Sequence, residues 1–232
     1  VKISSSTLEI LRNFSAINEN LYVQAGNVLR TVSGQNNVMG RAELEEEFPR
    51  EFGIYNLKEF LSVLSLVNEP ELEFHDTYLV VKGGPSKIRY YYTDKDMLSY
   101  PPRDLDVPDD DLKFTLTKED MDKIRSAARA FRYNELVATP CKNDSEKITL
   151  SVTDTEYESH SFSIDVIASK PVSSDFRLIW EIDILRFMPG DYEVVVSQKL
   201  ISAMISQDKN LTYWVALKKK GSYYKELENV AA

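Results

Sequence analysis

Thr117-Lys118-Glu119-Asp120-Met121-Asp122-Lys123-Ile124-Arg125-Ser126-Ala127-Ala128-Arg129-Ala130-Phe131-Arg132 is the stretch on which the reading of this 232-residue chain turns. Its first four residues have the form of a capping box: a threonine hydroxyl can accept from the backbone three residues on, where an acid answers it. Met121, Ile124, Ala128 and Phe131 then recur at helical spacing, so an amphipathic helix is expected over residues 118–132. Lys118, Asp122, Arg125, Arg129 and Arg132 follow at alternating steps of four and three, which gathers them in one row on the face opposite the apolar one. Lys123 lies to one side. Three arginines in line with few compensating acids suit either a solvated helix face or one that contacts phosphates.

Outward from this helix, the first half of the chain has the same order of elements. Ser6-Thr7-Leu8-Glu9 is a second capping pattern, and Leu8, Leu11, Phe14 and Ile17 predict a helix over 7–18. Laid over the 118–132 helix, it places Arg12 on Arg125. Strands are expected at 21–25, 28–32 and 38–44. A second helix starts at Asn56, with Glu59 three residues on and Leu57, Phe60, Leu61, Leu64 and Val67 as its buried stripe. Strands at 71–75, 78–82 and 87–93 close the half. After the 118–132 helix, alternation marks Ile148-Leu150-Val152, Phe162-Ile164-Val166 and 176–180. A helical turn at 182–187 runs into Met188-Pro189-Gly190. Tyr192-Val194-Val196, 200–206 and Leu211-Tyr213-Val215-Leu217 complete the set. Helix, three strands, helix, three strands occurs twice, which reads as duplication within an α+β chain. Between the halves, residues 94–111 carry three prolines and repeated acids, so they form an extended connector rather than a helix or central strand. The expected domains are therefore 1–93 and 112–232, and the length suits two domains of about 110 residues.

The net charge is −9, against the basic balance of an ordinary DNA-binding domain. Most of the acid excess lies in the first half, at Glu43 to Glu47 and in the connector, so the position of the basic row matters more than the total. No apolar run reaches the roughly 18 residues of a membrane span, and no basic-then-apolar leader opens the sequence; no membrane partner is expected. One cysteine, Cys141, excludes an intrachain disulfide and suits a reducing cytosol. His75 and His160 lack partners at metal-ligand spacing. Gly83-Gly84-Pro85-Ser86-Lys87 lacks the spacing of a phosphate loop and reads as a hairpin turn. Asp104, Asp106, Asp109, Asp110 and Asp111 lack the glycine and glutamate of a calcium loop. No metal, cofactor or catalytic residue is expected.

Three segments carry a family likeness: Leu11-Arg12-Asn13-Phe14-Ser15-Ala16-Ile17-Asn18; Ile54-Tyr55-Asn56-Leu57-Lys58-Glu59-Phe60-Leu61-Ser62-Val63-Leu64-Ser65-Leu66-Val67-Asn68; and Met188-Pro189-Gly190-Asp191-Tyr192 with Tyr213-Trp214-Val215-Ala216-Leu217. With them the chain resembles the sliding clamps of T4-type bacteriophages, which are DNA polymerase processivity factors. The resemblance implies the DNA-clamp fold, two similar domains each with two helices on one face of antiparallel sheets. It implies a head-to-tail homotrimeric ring that encircles duplex DNA without reading its sequence and tethers the replicative polymerase during phage DNA replication, in the cytoplasm of the infected bacterial host. A clamp-loader ATPase would place the ring, late-transcription factors are further partners, and the clamp itself is not an enzyme. The implied DNA-facing residues are Arg12, Arg125, Arg129 and Arg132, then Lys118 and Lys123, with Lys58 and Arg186 behind them. Partner peptides would dock beside Met97, Leu98, Tyr100, Leu105 and Val107, whose other role is to pack the connector on the sheet. Two alternatives stand beside this: a β-rich structural or protein-interaction subunit without DNA function, and an enzyme assembled from scattered residues.

Overall fold

A computed structural model describes residues 1–101, 103–106, 111–157 and 160–226. The chain divides into two compact units, Val1–Asp104 with Arg186–Met188, and Leu105–Leu185 with Pro189–Ala232.

In the first unit, α1 (Ser5–Ile17) buries Thr7, Ile10, Leu11 and Phe14, the spacing of one helical face. Its cap is Ser4, whose hydroxyl accepts from the Thr7 N–H at 3.1 Å. The helix therefore starts before the Ser6 that the local pattern marks. The reason is non-local: Glu46 reaches back to accept from the Ser4 N–H and the Thr7 hydroxyl, the service expected of Glu9. α2 (Leu57–Leu64) is capped as its sequence predicts, Asn56 accepting from the Glu59 N–H at 3.1 Å, and buries Leu57, Phe60 and Leu64. β2 (Gly26–Val32) and β3 (Val38–Phe48) form a hairpin under α1, where Gly40 leaves room for the Phe14 ring; a Cβ there would lie 3.0 Å from it. β1 (Leu21–Val23) pairs with β4 (Phe52–Ile54). β5 (Glu71–Phe74), β6 (Tyr78–Gly83) and β7 (Ser86–Tyr91) form an antiparallel meander, its second turn at Gly83–Ser86. Residues 1–3 run beside β5, joined to it by the Leu72 N–H donating to the Val1 carbonyl at 2.7 Å.

Gly53 on β4 is a position where only hydrogen fits. A Cβ would lie 2.2 Å from the Thr93 carbonyl oxygen and 2.6 Å from Leu98 Cδ1. Backbone cannot yield as a flexible side chain can, so Gly53→Ala is expected to cost at least the ~1–3 kcal/mol of core overpacking, read as a lowered Tm.

The second unit opens with β8 (Leu112–Leu116) and α3 (Lys118–Phe131). β9 (Glu135–Pro140), β10 (Lys147–Thr153), β11 (Ser161–Ile167) and β12 (Ser174–Glu181) follow, then β13 (Tyr192–Ser197), β14 (Ile201–Ser206), β15 (Leu211–Ala216) and β16 (Tyr223–Glu226). One antiparallel sheet has the order β11-β10-β9-β12-β16, and β8-β13-β14-β15 are neighbours in another. α3 packs on β10 and β11. Between the sheets, the buried Trp180 indole N–H donates to the Ser202 hydroxyl at 2.9 Å, which donates to the Val215 carbonyl at 3.0 Å. This relay leaves neither the indole nor the hydroxyl stranded in the core. Where a second helix was expected in this half there is a single 3₁₀ turn, Ile182–Ile184. Pro189 supplies no N–H and biases Met188 away from helical geometry, so too few residues remain to repay helix nucleation. Among the described residues no helix is long and apolar enough to cross a membrane.

Candidate nucleic-acid interface

α3 begins with the expected capping box. The Thr117 hydroxyl accepts from the Asp120 N–H at 3.1 Å, and the Asp120 carboxylate accepts from the Thr117 N–H at 3.3 Å. Asp191 takes the Lys118 N–H at 2.7 Å. With its first donors satisfied, the helix runs to Arg132, which closes it in the left-handed region at φ 59°.

Successive residues turn by about 100°, and that rotation corrects the placement of the basic row. Lys118, Asp122, Arg125, Arg129 and Arg132 lie about a quarter turn from the buried Met121, Ile124 and Ala128, not diametrically opposite. The far side holds Glu119, Lys123 and Ser126. Arg125, on the side of the row nearer the core, is accordingly half-buried and donates its Nη2 to the Leu185 carbonyl at 2.7 Å. Lys118, Arg129 and Arg132 are exposed, and Arg129 reaches the Ser126 hydroxyl one turn back at 3.3 Å. Lys123 pairs with Glu119 at 2.7 Å, an (i, i+4) pair that offsets its charge. From Lys118 to Arg132 the row is about 21 Å long, some six base-pair rises of B-DNA.

The first unit's helices are electrostatically bland beside it. Arg12 is exposed on α1, which also carries Glu9; Lys58 is exposed on α2 next to Glu59. Arg186 has a structural duty: its Nη1 donates to the Ala16 carbonyl at 2.8 Å, and its own carbonyl accepts from the Asn13 amide at 2.8 Å. It thereby covers one of the orphan carbonyls at the end of α1.

The described part of the connector up to Asp104 lies on the first unit. The Lys95 ammonium sits 4.7 Å from the Tyr22 ring and 5.1 Å from the Tyr100 ring. The Ser99 N–H donates to Asn20 Oδ1 at 3.1 Å, and its carbonyl accepts from the Asn18 amide at 3.3 Å. Leu98 is 9% exposed and packs on Gly53, while Met97 and Leu105 are 62% and 42% exposed. Of the five docking candidates, then, Leu98 and Tyr100 hold the connector down, Met97 and Leu105 face solvent, and Val107 lies outside the described residues.

One cluster has no signal in the sequence. The Asp104 carboxylate accepts from Arg30 Nε at 2.7 Å and Nη2 at 3.2 Å, and from Arg41 Nε at 3.1 Å. The bonds from Arg30 hold the Asp104 carboxyl below the usual carboxylate range. A depressed carboxyl stabilises the fold at neutral pH and loses that contribution as pH falls through its lowered value. Among the described residues no group of His, Cys, Asp and Glu is placed to hold a metal; His75 stacks on Tyr78 at 4.5 Å.

Residues 3–97 match a family described as DNA polymerase processivity factor. The sliding clamp of Vibrio phage KVP40 is 31% identical over 221 residues, covering 93% of this chain and 98% of that protein. The sliding clamp of Escherichia phage RB69 is 23% identical, covering 84% and 87%. Among solved structures, A. fulgidus PCNA bound to the C-terminal region of FEN-1 superposes with a TM-score of 0.67 at 12% identity, over 91% of this chain and 94% of that one. The H. pylori beta clamp gives 0.68 at 14% identity, over 94% of this chain and 63% of that longer one. Identities this low speak for the α+β clamp fold alone. The near full-length match to the KVP40 protein speaks for kinship: this chain belongs to the sliding clamps of T4-type phages, a family of DNA polymerase processivity factors.

Proposed function

We propose that three copies of this chain close head to tail into a ring around duplex DNA, and that the ring tethers the replicative polymerase without chemistry of its own. The observation that carries this reading is the uneven charge of the helices. α3 and its cap hold five cations against three acids, Glu119, Asp120 and Asp122, whereas α1 and α2 each balance a single cation with a single acid. A ring linked topologically to DNA needs only weak attraction that is indifferent to sequence, which an exposed row of Lys118, Arg129 and Arg132 supplies. Arg125 adds charge from a fixed position, and Arg12, Lys58 and Lys123 add less. An acidic remainder repels DNA from other surfaces.

Ring closure has two candidate surfaces. β7 is an open edge of the first unit's meander, with exposed Lys87 and Arg89; β11 is an open edge of the second unit's sheet, with exposed Asp165 and an Ile167 that is 70% exposed. Edges on different units favour pairing between copies in a heterologous, closing contact. In this reading, 1–93 and 112–232 are the two clamp domains and 94–111 joins them. Polymerase and loader ATPase bring apolar peptide tails to the exposed Met97 and Leu105, within the cytoplasm of the infected host. Light scattering and negative-stain imaging test it. Closed rings with three times the 26.6 kDa chain mass are expected, and a strict monomer at high concentration would overturn the reading.

A further inference from the structure

Arg30 and Arg41 stand directly opposite each other in the β2–β3 ladder. Like charges in that position repel, so the pair calls for a counter-ion between the two guanidiniums. Asp104 fills the place with three N–H bonds, and it comes from the connector rather than from the hairpin. We infer that Arg30 and Arg41 form a carboxylate-binding site whose ligand is the chain's own Asp104, and that occupancy of this site keeps residues 94–101 closed as a strap over the first unit.

The other contacts between strap and unit differ in kind. Asn20 and Asn18 make neutral hydrogen bonds to Ser99, Lys95 lies over two tyrosine rings, and Leu98 is an apolar plug at Gly53. Neutral bonds of this type contribute modestly once exchange with water is counted, while bonds between charged partners are stronger. The side chains of Arg30, Arg41 and Asp104 are 19%, 27% and 37% exposed, which shields the ion pairs from solvent more than a fully exposed pair. Gln24 accepts from Arg30 Nη1 at 3.0 Å and Glu43 lies 3.6 Å from Arg41, so both arginines are held in place to receive the ligand. The latch sits at the far end of the strap from β7, where a single fixed point limits how far the whole segment can lift. Opening it frees Leu98 from its seat against Gly53. The latch is built within that unit, so it stands independently of ring formation and DNA binding.

Hydrogen exchange followed by mass spectrometry on the full chain tests it, using wild type and Asp104→Asn, at about 0.05 M and about 1 M NaCl. In the variant, amides of residues 95–100, above all the Ser99 N–H bound to Asn20, should exchange about tenfold faster or more, with α1 unchanged. In wild type the same amides should speed up at high salt, because screening weakens the ion pairs, while the variant should show little salt response. The wild-type salt arm keeps the test decisive even if the variant proves unstable as a whole. Equal protection of residues 95–100 in both proteins, or no salt response in wild type, would overturn the latch and leave the strap to Asn18, Asn20 and Lys95.

Discussion

Reversing Lys118, Arg129 and Arg132 to glutamate is expected to leave the protein folded and assembled while removing most of its stimulation of a processive polymerase. All three side chains are exposed, and the buried Met121, Ile124 and Ala128 are untouched. Exposed substitutions of this kind usually change stability within about 0.5 kcal/mol. Acids at 129 and 132 oppose the dipole at the end of α3 by ~0.3–1 kcal/mol each, and an acid at 118 favours its start. Arg125 is left alone for a physical reason. Its guanidinium holds the Leu185 carbonyl, and a glutamate there would face that oxygen from a half-buried position, confounding folding with binding. Every phosphate that a side chain no longer neutralises should flatten the logarithmic salt dependence by about 0.9, so removing three cations at once is a large effect. The defect in primer extension with loader and polymerase should reach about 100-fold at low salt, narrowing as the Debye length falls toward about 8 Å at physiological ionic strength. Lys123→Glu, off the row and already offset by Glu119, should do far less. Normal extension by the assembled triple variant would remove α3 from the DNA interface; loss of assembly would place these residues in a structural contact.

Features fixed by residues close in sequence were legible from it, and those joining distant residues were not. The Asn56 cap, the capping box at Thr117 and the apolar stripe of α3 are signals within a few residues; both caps appear as read, and of the stripe Met121, Ile124 and Ala128 are buried while Phe131, at the helix end, is only half-buried. The Ser4 cap was hidden because its partner is Glu46. β9 buries Leu136, Val137 and Ala138 in succession, as a central strand with both faces covered does, so it has no alternation to detect. β8 does alternate, at Leu112, Phe114 and Leu116, but it follows directly on the acidic run of the connector and reads as its margin. In the candidate site, the basic row follows from helical periodicity alone. The hold of Arg125 on Leu185, of Arg186 on Ala16, and of Arg30 and Arg41 on Asp104 spans sixty or more residues each. Periodicity carries no trace of such pairs; only the folded chain brings them together.

The other large effect concerns ring closure. Lys87→Glu with Arg89→Glu is expected to convert the assembled species to monomer, and adding Asp165→Lys to the same chain is expected to restore assembly. Lys87 and Arg89 share one face of β7, since strand side chains alternate, and both are exposed. On β11 the exposed positions also alternate, at Ser161, Ser163, Asp165 and Ile167. Opposite charges across paired strands contribute ~0.2–1 kcal/mol, and like charges destabilise by similar amounts. Reversal therefore shifts each interface by about 1–2 kcal/mol. A closed ring of three repeats that change at every interface, so the assembled state is weakened by about 3–6 kcal/mol, or roughly 100-fold to 10,000-fold in its dissociation constant. Folding should hold, since edge residues contribute little to either core, and the thermal transition of the second unit should be unmoved. Because every copy would supply both edges, the compensating change repairs all three interfaces at once. The readout is mass against concentration by light scattering for wild type, the reversed variant and the compensated one. Assembly that survives reversal, or that compensation fails to restore, would mean that β7 and β11 do not meet, and the interface would have to be sought on another edge.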